Sequence, residues 1–311
     1  MCNLSIVIPC FNEAPVLDET VRRLDSVLSE LKVKGKISAD SKLFLVDDGS
    51  TDETWRIIVG VAKQRTNVHG IKLSRNRGHQ NALLAGMFAA DGDVVVSIDA
   101  DLQDDLSAVE KMLDAFESGA DIVYGVRGRR DSDTMFKRYT AESYYRLLRA
   151  MGVEVVFNHA DYRLMSRRAV AALAEFGEVN LFLRGIIPQL GFASASVEYD
   201  RAERLAGESK YPVSKMLSLA IQGITSFSAV PLRVITATGL LVFLCTLVVS
   251  AWALGTWYFT DRAVPGWTST VVPIFLLGGI QLLSIGVIGE YLAKIYMETK
   301  RRPRYVIEEK V

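Results

Sequence analysis

Hydrophobic residues in the first half of the chain fall in short unbroken runs, each closed by polar or acidic residues. The runs are Leu4-Ser5-Ile6-Val7-Ile8, Lys42-Leu43-Phe44-Leu45-Val46, Val68 to Leu73, Val94 to Ile98 and Asp121 to Tyr124. Runs of this kind read as strands buried on both faces of a parallel sheet. Helical spacing between them predicts helices from Pro15 to Leu31, Thr51 or Asp52 to Gln64, Gly78 to Ala90 and Leu106 to Glu117. Alternation of strand and helix at this length implies right-handed βαβ units. The expected fold is therefore α/β with a mostly parallel, Rossmann-like sheet. A further short strand, Ala160-Asp161-Tyr162-Arg163-Leu164-Met165, follows later.

The pattern changes in the last third. No residue is charged from Val234 to Thr260, nor from Ala263 to Gly289. A bilayer core needs about 20 apolar residues per helix, so two transmembrane helices are expected. Trp252, Trp257, Tyr258 and Trp267 gather near the connection between them, as interface aromatics do. Arg233 precedes the pair, and Lys294, Lys300, Arg301, Arg302 and Arg304 follow it. By the positive-inside rule both termini are cytoplasmic, and the trailing cluster suits anionic headgroups. No secretory leader is read ahead of the first strand, so the catalytic domain is expected to remain in the cytosol.

Two apolar segments earlier in the chain also suit a membrane surface. Met216 to Phe227 is nearly uncharged. Phe136, Tyr139, Tyr144, Leu147, Leu148 and Met151 recur at helical spacing among Arg146 and Arg149. That second segment is either a core helix or a basic amphipathic one. The organisation expected is a cytosolic domain over 1–212, an interface helix over 213–232, a transmembrane hairpin over 233–298 and a basic cytoplasmic tail over 299–311.

Composition narrows the chemistry. Lys+Arg and Asp+Glu are both 36, a balance that argues neither for nor against a nucleic-acid partner, and none is expected. Cys2, Cys10 and Cys245 are too scattered for a disulfide framework or a cysteine metal site. No G-x-G-x-x-G follows the first strand and no G-x-x-x-x-G-K-[ST] occurs, which excludes a dinucleotide dehydrogenase and a P-loop enzyme.

Acids instead close successive strands: Glu13, Asp47 with Asp48, and Asp99 with Asp101. Asp99 and Asp101 at i, i+2 share one face of an extended chain, and Gln103 continues the spacing. Their oxygens, at the carboxyl edge where open α/β sheets bind ligands, suit Mg²⁺ or Mn²⁺. Capping of the next helix accounts for Asp104 or Asp105. Phe11 either packs on the core or stacks on a base. Arg127, Arg129, Arg130, Lys137 and Arg138 form either a solvated charge run or a phosphate site. Asp200 to Tyr211 is a second basic loop. Asp161 is either a functional acid or the ion-pair partner of Arg163 or Arg168.

Several segments together resemble the membrane-anchored polyprenyl-phosphate glycosyltransferases of the GT-A, family 2 type. They are Ile8-Pro9-Cys10-Phe11-Asn12-Glu13, Val46-Asp47-Asp48-Gly49-Ser50-Thr51-Asp52, Leu73-Ser74-Arg75-Asn76-Arg77-Gly78-His79-Gln80 and Asp99-Ala100-Asp101-Leu102-Gln103. Asp161-Tyr162-Arg163-Leu164-Met165, Arg201 to Tyr211, Gly289-Glu290-Tyr291 and Arg302-Pro303-Arg304-Tyr305 complete the set. The resemblance implies a GT-A catalytic domain followed by interface helices and two transmembrane helices. It places Pro9, Phe11, Glu13, Asp48, Asp99, Ala100 and Asp101 on the nucleotide-sugar, with Asp48 at the base.

Asp99, Asp101 and Gln103 would hold Mg²⁺ or Mn²⁺ and the donor diphosphate. Arg127, Arg138, Arg201, Arg204, Ser209 and Lys210 would hold donor and lipid phosphates. Asp101, Arg127 and Asp161 would be the catalytic set, Asp161 acting as base or as a positioning group. The implied reaction is inverting transfer of a sugar, glucose first, from a UDP-sugar to a polyprenyl phosphate in the bilayer. A homo-oligomer, a homotetramer by resemblance, is implied as well. The alternatives are a dolichyl-phosphate-mannose type synthase using GDP-mannose and a non-catalytic membrane scaffold. Phe11 stands where relatives often have Tyr, so any hydrogen bond from that hydroxyl is lost.

Overall fold

The computed structural model describes residues 1–101, 103–127, 159–179, 181–200, 230–259 and 266–311. In chain order the elements are β1 (Leu4–Cys10), α1 (Ala14–Val33), β2 (Lys42–Asp47), α2 (Thr54–Gln64), β3 (Val68–Leu73), α3 (His79–Ala89), β4 (Val94–Ser97) and α4 (Ala108–Glu117). They continue with β5 (Ile122–Arg127), β6 (His159–Ser166), α5 (Arg167–Ala174), α6 (Leu183–Gln189), β7 (Ser194–Tyr199), α7 (Val230–Phe259), α8 (Trp267–Thr299) and β8 (Ile307–Lys310).

The described strands form one sheet in the order β7-β5-β6-β4-β1-β2-β3-β8. β1 pairs in parallel with β2 and β4, β2 with β3, and β5 with β7. The sheet is not parallel throughout. β6 runs antiparallel to both β4 and β5, and β8 antiparallel to β3. The short charged segment Ile307-Glu308-Glu309-Lys310, which reads in the sequence as tail, is thus an edge strand.

Every residue of β1 is buried because both faces of the sheet are covered. Leu4, Ile6, Ile8 and Cys10 point into one apolar layer with Leu17, Val21, Leu24, Leu28 and Leu31 of α1. That i, i+4, i+7 stripe is the helix's buried face. Val7, Val46 and Ile71 point the other way, onto α3, α5 and α6. Gly86 lets α3 lie close against the sheet: a Cβ there would come within 2.7 Å of the Val46 side chain and would also strike Val7. This close seat sets the position of the α3 N-terminus, where His79 stands.

α7 has 30 residues and α8 has 33, about 45 and 50 Å at 1.5 Å per residue. Leu240, Leu241, Leu244, Val248 and Trp252 of α7, and Leu282, Ile285, Ile288 and Leu292 of α8, are exposed. Among the described residues, Leu277–Thr299 is long and apolar enough to cross a membrane, and Val230–Val242 is a shorter apolar stretch. The expected helices over 136–151 and 216–227 lie outside the described residues.

Candidate active site

Four loops meet at the carboxyl ends of β1, β2, β3 and β4. Those of β1 and β2 are stitched together. Asn12 Oδ1 accepts from Thr51 N at 2.9 Å, and Asn12 N donates to Ser50 Oγ at 2.9 Å. Asn12 holds a positive φ of 57°, which an Asn tolerates better than most residues. Glu13 N donates to Thr54 Oγ1 at 2.9 Å. Pro9 lies within β1, opposite Val46. Phe11, just past the strand, is 44% exposed. Of the two readings of Phe11 in the sequence, core packing is therefore the one its environment disfavours.

Asp48 is buried and grips the next loop. Its Oδ1 accepts from Arg77 N at 2.7 Å and its Oδ2 from Gly78 N at 2.8 Å. Burial raises the Asp48 pKa and the two backbone N–H groups oppose that rise. Gly49 makes the approach possible, with a φ of 67° and room for no Cβ against the Arg75 and Asn76 backbone. Asp48 is thus tied to the turn that presents His79, and each of its oxygens retains a second lone pair.

The i, i+2 alternation expected at Asp99 and Asp101 is not what brings these acids together. β4 ends at Ser97 and the chain turns at Ala100 and Asp101. Thr20 Oγ1 of α1 holds this turn by donating to Ala100 O at 2.9 Å. Asp101 Oδ1 accepts from Gln103 N at 3.3 Å, and Ala100 and Gln103 are both buried. Asp104 does not cap α4; its Oδ1 accepts from Tyr199 Oη at 2.6 Å. Asp105 forms a local turn, accepting from Ser107 N at 2.9 Å.

The antiparallel register of β6, with Ser97 opposite Arg163, carries Asp161 back to the level of Asp99. His79 stands between them, its Nε2 3.5 Å from Asp99 Oδ1 and 3.9 Å from Asp161 Oδ2. Burial pushes the Asp99 carboxyl up to about 6; His79 opposes this, and Asp161, Asp104 and Asp101 add to it. The side chain keeps 38% of its surface accessible, so water screens part of these effects.

Asp161 moves the other way. Burial works against its ionisation, but Arg163, Arg184 and His79 outweigh burial and hold it far below the usual carboxylate range. Arg163 Nη2 donates to Oδ1 at 2.5 Å, and Arg184 reaches Oδ2 at 3.3 Å. A carboxylate held this way is a poor proton acceptor at neutral pH. Arg163 is therefore a partner of Asp161, whereas Arg168 pairs with Asp121.

Among the described residues no group of three or more His, Cys, Asp and Glu side chains forms a ready-made metal cage. The donor set nevertheless fits a hard cation. Burial, with Asp161, Asp104 and Asp101 adding to it, raises the Asp99 pKa, and a cation at the carboxylates would offset both. Mg²⁺ in particular is held by one or two carboxylates together with substrate phosphates.

His79 and Arg184 are the site residues that sequence reasoning did not single out for a role; Arg163 it named as one of two candidate partners of Asp161. His79 sits in a quoted motif, at a helix start just after glycine, and that position was its one signal. Arg127 ends β5 opposite Tyr199 in the backbone register, and its side chain lies outside the described residues. Arg138, Arg201, Arg204, Ser209 and Lys210 lie outside them as well.

A mostly parallel α/β sheet with acids at its carboxyl edge sets them where open α/β sheets bind their ligands. The model of glycosyl transferase family 2 matches residues 5–173, and the chain belongs to that family. An uncharacterised glycosyltransferase of Bacillus subtilis, YkoT, is 48% identical over 98% of this chain and 91% of its own length. A prophage bactoprenol glucosyl transferase homolog of Escherichia coli is 39% identical over 98% of both chains. The bactoprenol glucosyl transferase of Shigella phage SfX is 39% identical over 99% of both. Among solved structures, glucosyl-3-phosphoglycerate synthase from Mycobacterium tuberculosis is 22% identical, with a TM-score of 0.47 over 72% of this chain and 76% of that one. That likeness is too loose for any ligand to be carried over.

Proposed function

We propose that this glycosyltransferase moves glucose, with inversion, from UDP-glucose to the phosphate of a membrane polyprenyl phosphate such as undecaprenyl phosphate. The observation that carries the reading is the joining of an acidic strand-edge site to a long apolar helix. Val179 N donates to the Glu298 carboxylate at 2.9 Å, at the end of α8. The full-length likeness to bactoprenol glucosyl transferases supports the acceptor and the sugar.

Phe11 stacks on the base, with Pro9, Glu13 and Asp48 framing it. Asp99, Asp101 and Gln103 would hold a divalent cation, Mg²⁺ or Mn²⁺, alongside Ala100. When bound, that cation neutralises charge on the departing diphosphate. A lipid phosphate oxygen forms the new bond to the anomeric carbon as the bond from that carbon to the diphosphate oxygen breaks, releasing UDP. The phosphate monoester is already anionic near neutral pH and needs no strong base. Asp161, held as a carboxylate by two arginines, positions rather than deprotonates. Arg127, Arg138, Arg201, Arg204, Ser209 and Lys210 are assigned to the phosphates by resemblance.

The same reading makes α7 and α8 a transmembrane hairpin between a cytosolic domain over 1–212 with its interface helix over 213–232 and the returning segment over 299–311. The pairing of β8 with β3 supports an even number of crossings, since chain on both sides of the hairpin enters one sheet. A homo-oligomer is part of the proposal.

Purified full-length protein with Mg²⁺ or Mn²⁺, undecaprenyl phosphate and a donor panel of UDP-glucose, UDP-N-acetylglucosamine and GDP-mannose tests it. Glucosyl lipid is the expected product. Mannosyl lipid alone would replace the donor, and no glycolipid from any donor would overturn the reading.

A further inference from the structure

One segment touches both the end of α8 and the acidic site. Val179 N bonds Glu298, and Phe176 O accepts from Arg304. A few residues on, Leu183 N donates to Gln80 Oε1 at 3.0 Å, beside His79. Arg184, the next residue, reaches Asp161. Residues 176–179 therefore meet the helix end, and residues 183 and 184 meet the acidic site.

The two arginines at Asp161 differ in kind. Arg163 has no exposed surface and makes the short contact at 2.5 Å. Arg184 keeps 38% of its side chain accessible and makes long contacts, 3.3 Å from Nη2 and 3.5 Å from Nε. One carboxylate thus stands between two guanidiniums. Arg163 makes the closer contact, so Asp161 keeps a partner when Arg184 turns toward an incoming anion. A guanidinium presents a planar fork that suits a phosphate monoester.

Resting on the function proposed above, we infer that Arg184 is the residue that receives the acceptor's phosphate, with Arg163 and Asp161 as its backstop. Its place on the α8 side of the site suits a phosphate arriving from the lipid surface better than the donor diphosphate. The donor belongs with the acids of β1, β2 and β4.

The test is a split of steady-state constants, using undecaprenyl phosphate in detergent micelles and UDP-glucose. Arg184→Gln is expected to raise the acceptor KM about 10- to 100-fold, with donor KM within about twofold of wild type. Arg184→Lys keeps the charge and loses the fork, so it should raise acceptor KM only a few-fold. It reads the same split if Arg184→Gln does not fold. A donor KM that rises while the acceptor KM holds would overturn the assignment, and so would a fall in kcat alone, the mark of a residue that only pairs with Asp161. Wild-type protein that makes no glycolipid would sink the function itself; a working wild type with an unmoved acceptor KM in both variants would sink this assignment alone.

Discussion

Arg163 Nη2 donates to Asp161 Oδ1 at 2.5 Å from a guanidinium with no exposed surface. Among the described residues its Nε and Nη1 are buried without a hydrogen-bond partner, so holding the carboxylate this way carries a desolvation cost. Removing one member of a buried pair typically costs about 3–5 kcal/mol. Arg163→Met leaves Asp161 with the longer Arg184 and His79 contacts and should be destabilised by less than that full amount in chemical unfolding of the purified protein. The double variant Arg163→Met, Asp161→Asn should recover at least half of the loss, because neither charge is then stranded. Equal stability of Arg163→Met and wild type would refute the account.

Phe11 offers a test free of folding effects, since its exposure leaves little core packing to lose. Base stacking on an aromatic ring is worth about 1–3 kcal/mol. Phe11→Ala should therefore raise the donor KM by roughly 5- to 150-fold while the melting temperature barely moves. An unchanged donor KM would remove Phe11 from the nucleotide site.

Asp101→Asn is expected to abolish transfer while the protein still folds and enters the membrane, as read by its melting profile and extraction behaviour. A chelator should silence wild type in the same assay, and added Mg²⁺ or Mn²⁺ should restore it. Full turnover after exhaustive chelation would exclude a metal at Asp99, Asp101 and Gln103.

Asp121 supplies a pH prediction away from the site. Arg168 holds its carboxyl below the usual carboxylate range, burial opposes this, and Ser166 adds a hydrogen bond. The folded pKa therefore lies below the unfolded value of about 3.9. The stabilisation is fully present above that value and is lost as pH falls through the folded pKa. Wild type should exceed Asp121→Asn in stability at neutral pH, and the gap should close on acidification below about pH 4. Unfolding curves at stepped pH measure this; a gap that widens in acid would refute it.

Much of this was legible because local rules and the fold agree. The run from Val68 to Leu73 is a strand over the same residues, and Leu17 to Leu31 gave a helical stripe that the sheet buries. The acids at the ends of β1, β2 and β4 follow from strand order. What depends on pairing partners was not legible. Nothing in Ala160 to Met165 says that β6 runs antiparallel, yet that direction brings Asp161 level with Asp99. His79 gained a role only when Asp48 and Gly86 set where α3 begins. A four-residue strand with three charges, as in β8, has no signal of its own and exists because β3 offers an edge.

That edge has a consequence for how the protein is made. β8 is synthesised after both long helices, so Val68 to Leu73 waits with a bare row of N–H and C=O groups while the ribosome works through them. Such a row invites other chains to add to it. Maturation of the catalytic half is thereby timed to the synthesis of β8, and a molecule that had not yet laid β8 on β3 would stay open to aggregation or proteolysis.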